Sequence, residues 1–363
     1  MNYQKKLYNS NSPIKVIHIV GARPNFMKVA PLMREMSKYP QKFDQLLLHT
    51  GQHYDEEMSQ IFFNDLNLTK PDIYLGVGSG SHAEQTGKIM IEFERVCLQE
   101  KPDLVIVVGD VNSTIACALV AAKLWIPTAH IEAGLRSFDR TMPEEINRIL
   151  TDQISDYLFT TCEDANQNLI KEGISEKKIF FVGNTMIDTL LSHMEIAKNS
   201  VILENLGLRK NNKIKKYGVV TLHRPSNVDN PKTFKGILNA LNELTREIPI
   251  IFPVHLRTIK QIKNFKFQEV VNYEENFLSK GLNNTNRNIL VIPPLGYLDF
   301  LCLMSNAAIV LTDSGGIQEE TTILETPCLT LRNNTERPIT VKEGTNIVVG
   351  NNPDKIIKQH LMY

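Results

Sequence analysis

Cysteine is sparse: the 363 residues hold five, at Cys97, Cys117, Cys162, Cys302 and Cys328, with no CxxC pair. This scatter excludes zinc spacing and a disulfide framework, and it is expected of reduced thiols in a cytoplasmic protein. An excess of charge is also missing. Lys+Arg and Asp+Glu are 40 each, so the formal net charge is zero. No global basic field therefore points to nucleic acid or to an anionic membrane. Long apolar runs are absent, and none approaches the ~20 residues that span a bilayer. The opening segment MNYQKKLYNSNSP has no apolar core, so no signal peptide is expected. Three catalytic signatures are lacking as well. There is no G-x-S-x-G elbow of a serine hydrolase, no GxxxxGK[ST] P-loop, and no dinucleotide fingerprint after the first strand. His49 and His53 have i,i+4 spacing, but Thr50-Gly51 interrupts any helix between them, so no metal site is expected.

What is present is a regular alternation of short apolar runs and longer amphipathic stretches. Residues 15–20 (KVIHIV), 45–49 (QLLLH), 104–108 (LVIVV) and 127–131 (PTAHI) read as buried strands, with weaker candidates at 157–160 and 178–182. The pattern restarts at 218–222 (GVVTL) and continues through 250–254 (IIFPV), 289–292 (ILVI), 308–311 (AIVL) and 328–331 (CLTL). Continuous β-branched runs separated by helical periods predict parallel strands covered on both faces. The fold class is α/β, with two doubly wound Rossmann-like domains facing a central cleft. The first spans residues 1–184 and the second 185–363. Residues 192–210 read as helical, the charge run at 209–216 as a solvated connection, and 263–288 as a surface helix plus loop.

Ligands of open parallel sheets bind beyond the carboxyl ends of the strands, so the residues after each run matter most. GARPNFMK follows the first run and places Arg23 and Lys28 near a helix start, either as charge toward a diphosphate or as solvated surface. Gly109-Asp110 follows the third run, and Glu132 ends the PTAHI run. Glu144 follows Pro143 at a helix start, and His223 follows GVVTL. Asp110, Glu132, Glu144 and His223 read as an acid/base constellation around one sugar, or as separate caps and surface ion pairs. Glu145 and Arg148 lie three apart and read as structural support. Ser314-Gly315-Gly316 ends a strand and opens a helix, which favours an anion at exposed amides; Glu320, about one turn on, suits a ribose diol. A plain strand–helix turn is the competing reading.

The fragments GARPNFMK, GQH, GD, HIEAGLRS, MPEEINR, FVGNT, the HR after GVVTL, PVHLRT, TDSGGIQEE and NTERP occur in that order. Together they resemble the non-hydrolysing UDP-N-acetylglucosamine 2-epimerases over residues 15–350, nearly the whole chain. The resemblance implies a glycosyltransferase-B-type fold, a homodimer, and reversible conversion of UDP-GlcNAc to UDP-ManNAc without a cofactor. UDP leaves carbon 1 as the proton leaves carbon 2, and 2-acetamidoglucal is the intermediate. Such an enzyme supplies ManNAc-type sugars for cell-surface polysaccharides. The resemblance assigns Asp110, Glu132, Glu144 and His223 to catalysis. It assigns Arg23, Lys28, His255, Ser314, Gly315, Gly316, Glu320 and Arg337 to UDP or substrate, with Arg257 a weaker assignment. Gln52 and His53 mark the segment where many bacterial members bind a second UDP-GlcNAc as activator, yet GSGSHAEQ at 78–85 departs from the activator-responsive pattern. Only NNPDKIIKQHLMY follows Gly350, so the family's crossover helix is expected to be truncated. A UDP-sugar glycosyltransferase of the same fold and an inactive UDP-sugar-binding relative are the alternatives.

Overall fold

In the computed structural model, residues 12–51, 65, 70–273 and 289–360 are described. The chain forms two compact units, Met1–Thr189 and Leu190–Tyr363.

In the first unit, the apolar runs become strands. These are β1 (Ile14–Val20), β2 (Phe43–His49), β3 (Ile73–Tyr74), β4 (Leu104–Val108), β5 (Thr128–Ala133), β6 (Tyr157–Thr160) and β7 (Ile179–Phe181). All pair in parallel in the order β3-β2-β1-β4-β5-β6-β7. Strands β1, β4 and β5 are buried along most of their length. Parallel neighbours need long crossovers, which the helices provide. They are α1 (Arg23–Met36), α2 (His82–Glu100), α3 (Asn112–Lys123), α4 (Pro143–Ile154) and α5 (Glu163–Lys171). Helix α2 starts at a capping box in which Ser81 and Glu84 satisfy each other's amides. The core packs Ile17, Ile19, Leu48, Val105 and Val107 against Ile89, Phe93, Cys97, Ala116 and Cys117. Small residues on α3 let it lie close to the sheet.

Helix α6 (Thr185–Ala197) follows, and the division between units falls inside it rather than at the Gly183–Thr185 turn. The physical reason is local: the Thr189 hydroxyl donates to the Met27 carbonyl at 2.5 Å, so the first turns of α6 pack with the first unit.

The second unit opens differently from its expected helix over 192–210. After α6 comes only a short α7 (Ile202–Asn205), then a two-stranded antiparallel ribbon, β8 (Arg209–Lys210) and β9 (Lys213–Ile214). The charge run is thus a hairpin. Asn211 and Asn212 turn it with φ of 51° and 59°, the left-handed pair that a two-residue hairpin needs. The main sheet contains β10 (Gly218–Thr221), β11 (Ile250–Pro253), β12 (Val271–Tyr273), β13 (Ile289–Ile292), β14 (Ile309–Thr312), β15 (Cys328–Thr330) and β16 (Asn346–Val348). Its order is β12-β13-β11-β10-β14-β15-β16, again all parallel. The helices are α8 (Pro225–Val228), α9 (Pro231–Leu244), α10 (Leu256–Asn264), α11 (Tyr297–Ser305), α12 (Gly315–Ile323), α13 (Pro338–Lys342) and α14 (Pro353–His360). Ile356 of α14 is buried in the same cluster as Phe234, Ile237 and Leu241 of α9. The expected surface segment at 263–288 resolves into the end of α10 and strand β12; residues 274–288 lie outside the described ones.

Both sheets are therefore Rossmann-like. In each the order changes direction beside the sheet's first strand, between β1 and β4 and between β10 and β14, and in the second sheet β13 also lies between β12 and β11. Ligand sites of doubly wound sheets form at such reversals. The cysteines are free, and burial pushes the Cys97 and Cys328 thiols up to about 12, consistent with packing rather than reactivity. No helix among the described residues is long and apolar enough to cross a membrane.

Candidate functional site

At the first reversal the loop after β1 is drawn tight. The buried Asn25 side chain accepts from the amides of Gly21 at 3.0 Å and Ala22 at 2.9 Å, and donates to the Val108 carbonyl at the end of β4. Gly21 has no room for a side chain, since a Cβ would lie 2.1 Å from Ser113 Oγ. The segment GARPN is thus a bracket joining the ends of β1 and β4. Lys28, one turn along α1, ion-pairs with Glu132 at the end of β5, and both side chains are buried. A buried pair of this kind is costly to break from one side, because the partner is left as an uncompensated charge.

Glu132 sits at φ +73°, where the β5–β6 register shifts. Left-handed backbone at a non-glycine residue costs free energy and persists where the surroundings fix it. Gly109, at φ +66°, makes room: a Cβ there would lie 3.3 Å from both Glu132 Oε2 and Lys28 Nζ. Asp110 comes next in the chain and pairs with Arg148 of α4, which also holds Glu145 at 2.7 Å. Glu145 accepts from the amides of Ser137 and Phe138. Burial raises its carboxyl, but those amides and Arg148 outweigh it, so the carboxyl lies below its ordinary range. Arg148 therefore reaches beyond its helix neighbour to a strand-end carboxylate, a link that i,i+3 spacing did not reveal. Glu144 is partly exposed and makes no ion pair among the described residues.

Beneath these strand ends lies a pair that sequence reasoning missed. His130 and Asp152 are both fully buried, with Nδ1 2.6 Å from Asp152 Oδ1. Arg136 pairs with Asp152 at 2.7 Å and with Glu172 at 2.6 Å. Every residue of β5 is buried, so no alternation marked His130.

At the second reversal, Asp313 gathers donors. Its carboxylate accepts from the amides of His223 and Arg224 and from Asn227 Nδ2 at 3.2 Å, and it meets His223 Nδ1 at 3.0 Å. Burial raises its carboxyl, and His223 and these amides outweigh that and hold it low. The half-exposed His223 ring is thereby oriented by Asp313. Helix α12 begins at Ser314, whose side chain makes no capping bond. Gly315 is small for a reason the motif did not show. A Cβ would lie 2.2 Å from Glu336 Oε1, so an internal carboxylate covers the helix start. Glu336 pairs with Arg332 at 2.7 Å and approaches Arg224 at 3.6 Å. Burial opposes its ionisation, but Arg332, Arg224 and Arg337 hold it well below the ordinary carboxylate range. Arg337 pairs with Glu319 at 3.2 Å. Glu320 is buried, with the Tyr297 hydroxyl 3.4 Å away as donor, and burial pushes its carboxyl up to about 8.

The remaining expected site residues are placed as follows. Lys28 is committed to Glu132. His255 is exposed at the start of α10, and Arg257 pairs with Asp229. Arg23 opens α1, and Gln52 and His53 fall outside the described residues. No group of three or more potential metal ligands occurs among the described residues.

The model of a family described as UDP-N-acetylglucosamine 2-epimerase matches residues 34–361. A UDP-N-acetylglucosamine 2-epimerase of Methanocaldococcus jannaschii is 48% identical over 356 residues, covering 95% of this chain and 91% of the relative. A UDP-2,3-diacetamido-2,3-dideoxy-D-glucuronate 2-epimerase of Pseudomonas aeruginosa is 40% identical over 348 residues, covering 95% and 91%. A crystal structure of the Methanocaldococcus jannaschii UDP-GlcNAc 2-epimerase with UDP-GlcNAc and UDP superposes with a TM-score of 0.86 at 47% identity, covering 96% of this chain and 92% of that one. With strand-end carboxylates in the first unit, the Ser-Gly-Gly helix start in the second, and a match along nearly its whole length, this chain belongs to the UDP-N-acetylglucosamine 2-epimerase family.

Proposed function

We propose that this chain interconverts UDP-GlcNAc and UDP-ManNAc without hydrolysis, by eliminating and re-adding UDP. A carboxylate takes the proton from carbon 2 as the bond from carbon 1 to the diphosphate oxygen breaks. The electron pair of the C–H bond becomes the carbon 1–carbon 2 double bond, leaving 2-acetamidoglucal and UDP. Re-addition reverses these bond changes with the proton delivered to the opposite face. In this reading the Met1–Thr189 unit supplies the acid–base groups Asp110, Glu132 and Glu144. The Leu190–Tyr363 unit holds the nucleotide through Ser314, Gly315, Gly316, Glu320 and Arg337, with His223 at the departing diphosphate. Arg23 and His255 are assigned to the diphosphate, whereas Lys28 supports Glu132. The product serves cell-surface polysaccharide synthesis.

The observation that carries this reading is the pair of carboxylates at adjacent strand ends, Asp110 held by Arg148 and Glu132 held by Lys28. Two acids with separate cations suit two proton transfers on opposite faces. The test is turnover of UDP-GlcNAc in heavy water with no added nicotinamide or metal. Recovered UDP-ManNAc is expected to carry deuterium at carbon 2. Full retention of protium would overturn the proton-transfer scheme, and release of free ManNAc would show hydrolysis. No change without an acceptor sugar would favour a glycosyltransferase. Turnover confined to UDP-2,3-diacetamido-2,3-dideoxy-D-glucuronate would keep the chemistry and change the sugar.

A further inference from the structure

His130 has no exposure to solvent, and both of its ring nitrogens meet acceptors. Nε2 lies 2.8 Å from the Gly109 carbonyl oxygen. A carbonyl oxygen only accepts, so Nε2 carries a proton. Nδ1 lies 2.6 Å from Asp152 Oδ1. The other oxygen of that carboxylate takes the Gly134 amide at 3.1 Å and the Arg136 guanidinium at 2.7 Å. Arg136 is in turn held by Glu172 through two bonds of 2.8 and 2.6 Å. Burial raises the Asp152 carboxyl, and His130 and Arg136 outweigh it and hold it low. The ring is thus clamped between the Gly109 carbonyl and the Asp152 carboxylate.

The consequence lies at the strand ends. The Gly109 carbonyl belongs to the planar peptide that leads into Asp110, so fixing that oxygen fixes the plane from which Asp110 departs. The same pair brackets Glu132. His130 precedes it by two residues on β5, and Asp152 holds the amide of Gly134 just beyond it. Glu132 stands between these anchors at φ +73°, a conformation that surrounding structure must impose. One buried pair thus reaches both carboxylates through the backbone and touches neither.

We propose that His130 and Asp152 form a positioning pair that sets the Asp110 and Glu132 carboxylates for reaction. This rests on reading those two residues as the acid–base groups. The pair is positioning, not catalytic, because it acts through Gly109 and Gly134.

Two measurements test it. The first is nitrogen NMR of the wild-type chain with ¹⁵N-labelled histidine, the His130 signals being assigned by their loss in His130→Gln. His130 Nε2 is expected to carry the proton that it donates to the Gly109 carbonyl. An unprotonated Nε2 would overturn the bond through which the pair acts on Asp110. The second compares His130→Gln, whose amide can still donate to Gly109, with His130→Ala and Asp152→Asn. His130→Ala and Asp152→Asn should lower kcat by about 10²-fold, the worth of an ångström of misplacement. KM should change by less than about threefold on the same reasoning, with UDP affinity unchanged. His130→Gln should recover most of kcat. Variants that melt at lower temperature yet keep wild-type kcat would overturn positioning and leave only a structural role. The NMR result does not depend on turnover, so a wild-type chain inactive on UDP-GlcNAc would sink the functional reading while the ring protonation stood or fell separately.

Discussion

Glu320 shows how burial alone changes what a side chain is. Its carboxyl is pushed from an ordinary 4.5 to about 8, first by burial and then by the neighbouring Glu319, against the Tyr297 hydrogen bond that lowers it. Without nucleotide, the folded chain keeps this proton through a range where the unfolded chain gives it up. Stability is then fully present below about pH 4.5 and declines as pH rises through about 8. Glu320→Gln keeps the shape and removes the ionisation. The variant is expected to melt above wild type at pH 8 and to lose that advantage as the pH is lowered toward 5. A gap independent of pH would show that Glu320 is ionised in the ligand-free fold. Other residues show how far a sequence discloses a candidate site. Asp110, Glu132 and His223 were legible because each follows an apolar run, where doubly wound sheets put their chemistry. Asp152 and Asp313 were not. Asp152 looks like any acid in the amphipathic helix α4, and Asp313 like a polar residue of a turn; their partners are set by sheet order, which local pattern does not specify.

At the scale of elements, positive-φ glycines separate two demands that a sequence presents identically. Gly134 and Gly173 lie at φ +80° and +85°. A Cβ on Gly173 would meet nothing within 4 Å, whereas one on Gly134 would lie 2.5 Å from the Ala165 carbonyl oxygen. Gly173→Ala should therefore cost only the left-handed backbone penalty, roughly 1–2 kcal/mol. Gly134→Ala should cost clearly more, because α5 or the end of β5 must move. Urea denaturation of both variants measures the difference, and equal losses would mean that the contact with α5 yields freely. The central strands were readable for a physical reason: parallel strands buried on both faces need unbroken apolar runs, as in LVIVV and IIFPV. The β8–β9 ribbon had no such signal. Apart from Ile214 its strand residues are charged, and they are largely exposed, so only the Asn211-Asn212 turn distinguishes it from a solvated linker. The weak alternation in 192–210 suggested one helix where the chain makes α6, α7 and the start of a hairpin.

For the whole molecule, the restart of the strand–helix pattern at GVVTL announced a second sheet, and each unit encloses its own buried cluster. Two cores in one chain make a single all-or-none unfolding step an unsafe assumption. Calorimetry is expected to resolve two transitions. UDP at a hundred times its Kd should raise the stability of the Leu190–Tyr363 unit by about 2.7 kcal/mol and leave the other in place. Equal movement of both transitions would contradict assigning the nucleotide to that unit alone. The boundary inside α6 escaped the sequence because Gly183-Asn184 looks like a natural joint, while the Thr189 bond to Met27 is a contact across most of a domain's length of chain. A last consequence follows from the charge cluster around the start of α12. Arg332 pairs with Glu336, which Arg224 also approaches at 3.6 Å, and Arg337 pairs with Glu319. An anionic nucleotide approaching from solution meets arginines already engaged by carboxylates, on a chain of zero formal net charge. Long-range attraction does little to speed its capture. Its arrival rate is set by diffusion and orientation and is nearly indifferent to ionic strength, so selection among nucleotides rests on how long each one stays.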